Sequence, residues 1–308
     1  MIYTVTLNPS LDMVSYVDEL DDSAFVQTTA AYKYPGGKGI NVSRSLYNLD
    51  IFSIATGFLG GYPGEFIRDW FEERQIDTFF LPIKDDNRTT LRIKSAREAK
   101  TIAGISPSIP QESLDELLHF LSRIREGDIV VIGGSLPKDV PGDIYKRISE
   151  ICNANKAHFT MDIPAKEMVA SLRDKPLLIK PNIDNLALMF DKMEGFDDEE
   201  DIIEHGFKCI DLGARNVIVS LGEDGSYLFT EDKEVYRSYG VKGEEVNSFN
   251  SRDAMIGAFI GSYMKKNDPV EAFEMAAAAA SATAFVEDFA SKEEVMKVYE
   301  EQRVEKIR

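Results

Sequence analysis

Short β-rich runs alternate with longer stretches of helical spacing along most of this chain, and no other feature constrains the fold as strongly. Ile2–Leu7, Phe52–Phe58, Asp128–Ile132, His158–Asp162, Leu177–Lys180, Asn216–Ser220 and Ser226–Phe229 read as strands. Between them, Gly39–Asn48, Gly64–Arg74, Pro110–Arg125, Asp143–Ala154, Ile183–Met193, Asp197–Leu212 and Asp253–Lys265 carry helical periodicity. Alternation at this pitch predicts an α/β fold: a central, mostly parallel sheet covered by helices on both faces through right-handed crossovers.

Two segments break the alternation. Asp12–Val17 with Val26–Tyr34, and Arg88–Lys94 with Lys100–Gly104, read as short strand pairs joined by polar turns. A few strands bury little core alone, so these pairs must pack over the main sheet or another subunit. They predict a small antiparallel β lid formed by about 12–34 and 88–104. The pattern leaves open whether that sheet closes a site from water or only decorates the fold. No linker rich in Pro, Gly or Ser divides the chain, and 308 residues fit a single α/β domain over 1–308.

Charge narrows the function. Lys and Arg number 35 against 53 Asp and Glu, a net charge of −18. Duplex binding draws its affinity from cations along the phosphate backbone, so no nucleic-acid partner is expected. The same acidity repels small anions at long range, and a phosphate site must gather positive charge locally. No run approaches the ~18–20 apolar residues of a membrane span. The opening Met-Ile-Tyr-Thr-Val-Thr-Leu shows neither a basic segment nor a cleavage site, so no membrane partner and a cytoplasmic location are expected. Cys152 and Cys209 have no nearby partner at metal-ligand spacing, and His119, His158 and His205 stand apart.

The densest chemical signal is Pro35-Gly36-Gly37-Lys38-Gly39-Ile40-Asn41-Val42-Ser43-Arg44. Paired glycines let the backbone approach a ligand, and the helix that follows turns its free N–H groups toward them. Lys38 adds a point charge and Asn41 a two-way hydrogen bonder. The Walker spacing is absent. Gly133-Gly134-Ser135-Leu136-Pro137 directly follows a strand, where open parallel sheets place ligands. Lys180-Pro181-Asn182 follows another. Ser220-Leu221-Gly222-Glu223-Asp224-Gly225 reads equally as a hairpin turn. Asn247-Ser248-Phe249-Asn250-Ser251-Arg252-Asp253-Ala254-Met255 opens a helix rich in Ala and Gly. A lone Asp there would be read as a cap.

In this order, together with Thr6-Leu7-Asn8-Pro9-Ser10-Leu11-Asp12 and Gly57-Phe58-Leu59-Gly60-Gly61, the motifs resemble the PfkB carbohydrate kinase family (ribokinase fold). Within it they resemble the 1-phosphofructokinase and tagatose-6-phosphate kinase branch, over essentially the whole chain. The resemblance implies transfer of the ATP γ-phosphate, with Mg2+, to a hydroxyl of a ketohexose phosphate. It implies that Asp12 holds sugar hydroxyls with Gly37 and Asn41. Lys38, Arg88 and Ser135 would hold the phosphate already on the sugar. Asp253 would be the base that takes the proton of the attacking hydroxyl. Asn250, Ser251 and Arg252 would form the phosphate loop before it. Ser220, Gly222 and Gly225 would line the nucleotide pocket, and Asn182 would position the Mg2+-bound phosphates. A homodimer through the lid is implied in the same way.

Several positions depart from the family pattern. Asn250-Ser251-Arg252-Asp253 stands for Gly-Ala-Gly-Asp, so Arg252 is expected either to strain and obstruct the loop or to offer a cation to the transition state. A left-handed Arg backbone would cost ~1–2 kcal/mol. Asn185 replaces the Glu of Asn-x-x-Glu, leaving no direct metal ligand from the chain, and Asp184 is one position off. Gln27 stands where relatives commonly carry Arg, and Ala103 and Ser106 replace the Asn and Gly of Asn-x-x-Gly-Pro. Three readings therefore compete. The first is a working phosphosugar kinase. The second is a degenerate relative that binds sugar phosphate or nucleotide without efficient transfer. The third is a kinase of a nucleoside or an unphosphorylated sugar.

Overall fold

Central strands of a parallel sheet are buried on both faces, and the run Ile-Val-Val-Ile-Gly at 129–133 is buried at every position in the computed structural model. Structure is described here for residues 1–20, 25–95, 97–192 and 194–308. The strands are β1 (Ile2–Thr6), β2 (Ser10–Val17), β3 (Thr28–Gly36), β4 (Ile54–Leu59), β5 (Thr78–Pro82), β6 (Arg88–Lys94) and β7 (Ala99–Ala103). They continue as β8 (Ile129–Gly133), β9 (His158–Asp162), β10 (Leu178–Ile179), β11 (Asn216–Ser220), β12 (Ser226–Thr230), β13 (Val235–Ser238) and β14 (Val304–Lys306). The helices are α1 (Lys38–Asn48), α2 (Gly61–Glu73), α3 (Gln111–Leu121), α4 (Ile144–Ala154) and α5 (Ala165–Ser171). After them come α6 (Ile183–Met189), α7 (Glu199–Asp211), α8 (Ser251–Lys266), α9 (Pro269–Ala284) and α10 (Lys292–Glu301).

Ten strands form the main sheet in the order β14-β13-β12-β11-β10-β9-β8-β1-β4-β5. All pairings from β5 to β11 are parallel; β12, β13 and β14 add on antiparallel. Side chains alternate between two cores. Val130 and Ile132 enter one with Phe58 and Phe159, while Ile129 and Val131 enter the other with Phe259 and Phe273. Helices therefore cover both faces, as the alternation predicts. β5, β13 and β14, with α5 and α10, are additional to the elements read from sequence. The expected helix Ile183–Met193 stops at Met189, and its last residue, Met193, lies outside the described residues.

The second sheet runs β3-β2-β6-β7. Each expected strand pair is an antiparallel hairpin, and the two hairpins join through a parallel pairing of β2 with β6. Residues 21–24 and 96 of the expected lid segments lie outside the described residues. On β6 the alternate residues Arg88, Thr90, Arg92 and Lys94 share one face, and all four line the same cavity. This sheet and the C-terminal ends of β1, β8, β9 and β10 bound that cavity. Among the described residues no helix is long and apolar enough to cross a membrane.

Candidate active site

At the centre of the site α1 begins hard against the end of β1. The N–H of Ile40 donates to Thr6 Oγ1 at 2.8 Å. A Cβ at Gly36 would lie 2.3 Å from Asp12 Oδ1, and Gly37, at φ 111°, would place one 2.6 Å from Thr6 Cγ2. Only glycine fits this close approach. The turn brings Lys38 and Asn41 together with the strand-end residues. Lys38 Nζ pairs with Asp162 Oδ1 at 2.7 Å, and Asn41 Nδ2 donates to Asp253 Oδ2 at 2.8 Å.

Asp12, Gly37, Lys38 and Asn41 open on one cavity of about 970 Å³, and so do Arg88 and Ser135. Asn182, Asn185, Arg252 and Asp253 line the same space. Its lining holds seven Lys and Arg against five Asp and Glu, a local positive surplus in a chain of net charge −18. The local gathering of cations that a phosphate site requires is therefore present. Among the described residues Arg88 makes only long hydrogen bonds, from Nε to Asn8 O and from Nη1 to Thr90 Oγ1, both 3.4 Å. Arg252 is exposed in the cavity wall, without hydrogen bond or ion pair among the described residues.

Asp253, in the first turn of α8, is 4% exposed. Burial, and then the nearby Asp162, push its carboxyl up to about 6, against the opposing pull of Lys38, the Asn41 hydrogen bond and Lys180. A carboxylate at that value can accept a proton near neutral pH. Lys180 is 2% exposed, and burial drives its ammonium below the ordinary lysine range while Asp162 and Asp253 hold it up. Asp12 accepts one hydrogen bond on each oxygen, from Ser10 Oγ to Oδ1 at 2.6 Å and from Arg92 Nη2 to Oδ2 at 2.6 Å, which leaves further acceptor positions for a ligand.

Other expected residues stand elsewhere. Asn250 and Ser251 lie behind the cavity wall, where Asn250 Nδ2 donates to Asp288 Oδ1 at 3.1 Å. Ser220, Gly222 and Gly225 are outside the cavity lining. They connect the antiparallel β11 and β12, and Ser220 forms a bridge with Asn182. Asn182 Oδ1 accepts the N–H of Asn185 at 3.0 Å and caps α6. Gln27 is exposed and away from the cavity, Ala103 lines it, and Ser106 Oγ accepts from Asn8 at 2.8 Å.

The strain expected at Arg252 is absent. Asn250 has φ −79° and ψ −15°, and no residue from 250 to 252 has positive φ, because these residues start a right-handed helix. Sequence reasoning assigned no role to Arg92, Asp162 or Lys180. The four-residue spacing of Arg88 and Arg92, which puts both on one face of a strand, and an Asp closing a parallel strand were the available signals.

The profile of the pfkB family carbohydrate kinases matches residues 6–294. The chain is 36% identical to the 1-phosphofructokinase of Bacillus subtilis over 307 residues, covering all of both chains. It is 35% identical to the D-tagatose-1-phosphate kinase of Bacillus licheniformis, covering 92% of this chain and 93% of that one. Phosphofructokinase-2 of Escherichia coli, solved in complex with substrates and products, superposes with a TM-score of 0.91 at 24% identity. The match covers 97% of this chain and 98% of that one. The ribokinase of Arabidopsis thaliana gives 0.76 at 17%, with coverage of 97% and 98%, so the fold is ribokinase-like. This chain belongs to the pfkB family of carbohydrate kinases. It is an enzyme of the phosphotransferase class, and none of these relatives bears out an impaired activity.

Proposed function

We propose that the protein transfers the γ-phosphate of ATP to a hydroxyl of a ketohexose phosphate, with a ketohexose 1-phosphate as the preferred acceptor. The observation that carries this reading is that two buried carboxylates, Asp12 and Asp253, open on one cation-rich cavity, the first paired with Arg92 and the second with Asn41. The names of the two Bacillus relatives favour the 1-phosphate over the 6-phosphate.

Asp12, with Gly37 and Asn41, orients the sugar hydroxyls. Lys38, Arg88 and Ser135 hold the phosphate already on the acceptor. Asp253 takes the proton of the attacking hydroxyl as the new O–P bond forms and ADP departs with the electron pair of the broken one. The first turn of α8 presents one cation, Arg252, to the transferring group, while Asn250 and Ser251 brace it from behind the cavity wall. Asn182, Ser220, Gly222 and Gly225 lie toward the nucleotide.

ATP, when bound, supplies the transferable phosphoryl group and brings its Mg2+. The cavity fits a polyphosphate: Arg252 is unpaired and Lys180 is buried beside it. Among the described residues no three carboxylate, histidine or cysteine groups gather as a metal site, and position 185 carries an amide.

The small sheet serves as a lid on a single ribokinase-like domain. Lys94 Nζ reaches Asn247 Oδ1 at 3.2 Å and Arg92 stacks on Phe249, so β6 already touches the turn before Asp253. Exposed Tyr32 and Ile102 on this sheet support pairing of two copies through it. The test is purified protein with MgATP and a panel of ketohexose phosphates, nucleosides and free sugars. Bisphosphate from a ketohexose 1-phosphate is the expected product. Binding without turnover would mark a degenerate relative, and reaction only with an unphosphorylated acceptor would replace the proposed substrate.

A further inference from the structure

Behind the cavity, five side chains joined by four hydrogen bonds form a path that starts and ends at the beginning of α8. Asn41 Nδ2 donates to Asp253 Oδ2 at 2.8 Å, and Asn41 Oδ1 accepts from Arg44 Nη1 at 3.4 Å. Arg44 Nη2 donates to Asp288 Oδ2 at 2.5 Å, and Asp288 Oδ1 accepts from Asn250 Nδ2 at 3.1 Å. The carbonyl of Asn250 then accepts the N–H groups of Asp253 at 3.1 Å and Ala254 at 2.9 Å, which closes the circuit.

Arg44 is the rigid member. It is 3% exposed, and its guanidinium carbon lies 5.2, 5.3 and 4.9 Å from the ring centroids of Tyr34, Trp70 and Phe289. Nη1 also donates to Pro35 O at 3.1 Å, so both the ring contacts and the donor fork fix its plane. A guanidinium has no acceptor, so the Asn41 oxygen must face it and the Asn41 nitrogen must face Asp253. A reversed amide would set its NH2 against the cation and its carbonyl against the carboxylate. One arm thus sets the Asp253 side chain and the other braces its backbone.

We infer that Arg44 is a positioning residue for phosphoryl transfer, holding Asp253 toward the acceptor through Asn41 on one side and through Asp288 and Asn250 on the other. This rests on the reading of Asp253 as the base. It also gives Asn250 a role: its side chain ties the start of α8 to Asp288. Four charged groups face Asp253 from the surrounding elements. They are Lys38 on α1, Asp162 at the end of β9, Lys180 after β10 and Arg92 on β6. Arg44 acts on it by geometry.

The test compares Arg44→Lys, which keeps the charge but loses the fork, with Arg44→Met, which keeps the bulk between the rings. The Asp253 carboxyl is titrated by NMR in protein labelled at aspartate carboxyl carbons, assigned with Asp253→Asn, and the pH profile of kcat is measured beside it. Loss of the Asn41 hydrogen bond removes a stabiliser of the ionised form. In both variants the Asp253 midpoint is therefore expected to rise, the acid limb of kcat to move up with it, and kcat to fall about tenfold. KM values change little. A lowered melting temperature with an unchanged midpoint and kcat would reduce Arg44 to packing and overturn the inference. A shift with Met but none with Lys would also overturn it, leaving only a charge effect. If Arg44→Met does not fold, Asn250→Gly breaks the second arm alone and must move the midpoint in the same direction. If the parent shows no turnover, the NMR midpoint still decides the positioning, separately from the kinase reading.

Discussion

Arg92 and Asp12 meet at 2.6 Å across neighbouring strands of the small sheet, and the Arg92 guanidinium carbon lies 3.3 Å from the centroid of the Phe249 ring. One side chain thus joins the residue proposed to hold sugar hydroxyls to the turn that precedes Asp253. Its Nε is buried without a hydrogen-bond partner among the described residues. Arg92→Met removes the direct partner of Asp12, a mostly buried carboxylate, and leaves the nearby Arg88 as a weaker counter-charge. The expected stability loss is about 1–3 kcal/mol, less than for a fully dry pair because the cavity admits water. Acceptor KM should rise several-fold more than nucleotide KM. Urea midpoints and steady-state kinetics check both, and an unchanged acceptor KM would contradict the link.

Asp253→Asn has a pH signature. The folded carboxyl titrates at about 6 against an ordinary 3.8. A group raised in this way contributes stability below its unfolded value and loses it as pH rises through the folded one. Above pH 7 the native state holds the ionised group at a cost of roughly 2–3 kcal/mol. The Asn variant should therefore melt higher than the parent at pH 8 and coincide with it below about pH 4. Transfer should fall by about 10²–10⁴-fold. Equal melting at pH 8 would show that the charge is not buried at a cost.

Lys38 and Asp162 bias the same carboxyl in opposite directions. Lys38→Met removes a cation that favours ionisation and also leaves Asp162 unpaired, so the acid limb of kcat/KM moves to higher pH. Asp162→Asn removes the repelling charge and releases Lys38, so the limb moves to lower pH. Profiles shifted the same way in both variants would assign the limb to another group.

The parallel strands were legible because strands buried on both faces are written as short apolar runs, as in Ile129–Gly133. β5 and β14 lie at the two ends of the main sheet: β5 holds the apolar Phe79-Phe80-Leu81 with Leu81 alone buried, and β14 has no buried residue, so their periods are lost in a few positions. In the site, the glycine turn and Asp253 were readable because their meaning lies in local spacing. Arg92, Asp162 and Lys180 acquire theirs only where β6, β9 and β10 converge. A cation on a short strand otherwise reads as a solvated face, and Lys180 buried to 2% exposure runs against the usual habit of lysine. A glycine position in relatives suggests left-handed geometry at Arg252, but here the helix starts at Ser251, two residues before Asp253, and the backbone is right-handed.

That helical start decides the last prediction. Obstruction by Arg252 requires a strained loop or a side chain packed into the phosphate space. The residue instead lies at a right-handed helix start, exposed in the cavity wall and free of ion pairs among the described residues. A guanidinium in that setting is available to a polyphosphate. Arg252→Gly and Arg252→Gln are therefore both expected to weaken MgATP binding about tenfold in calorimetric titration, the loss of one charge-assisted contact. A parallel titration with inorganic tripolyphosphate should fall by a similar factor, which separates the phosphate contact from contacts to the base. Asn185→Glu, placed in the same wall, should weaken binding of metal-free ATP through repulsion while sparing MgATP. Tighter MgATP binding on Arg252→Gly would restore the obstruction reading and remove this cation from the phosphate site.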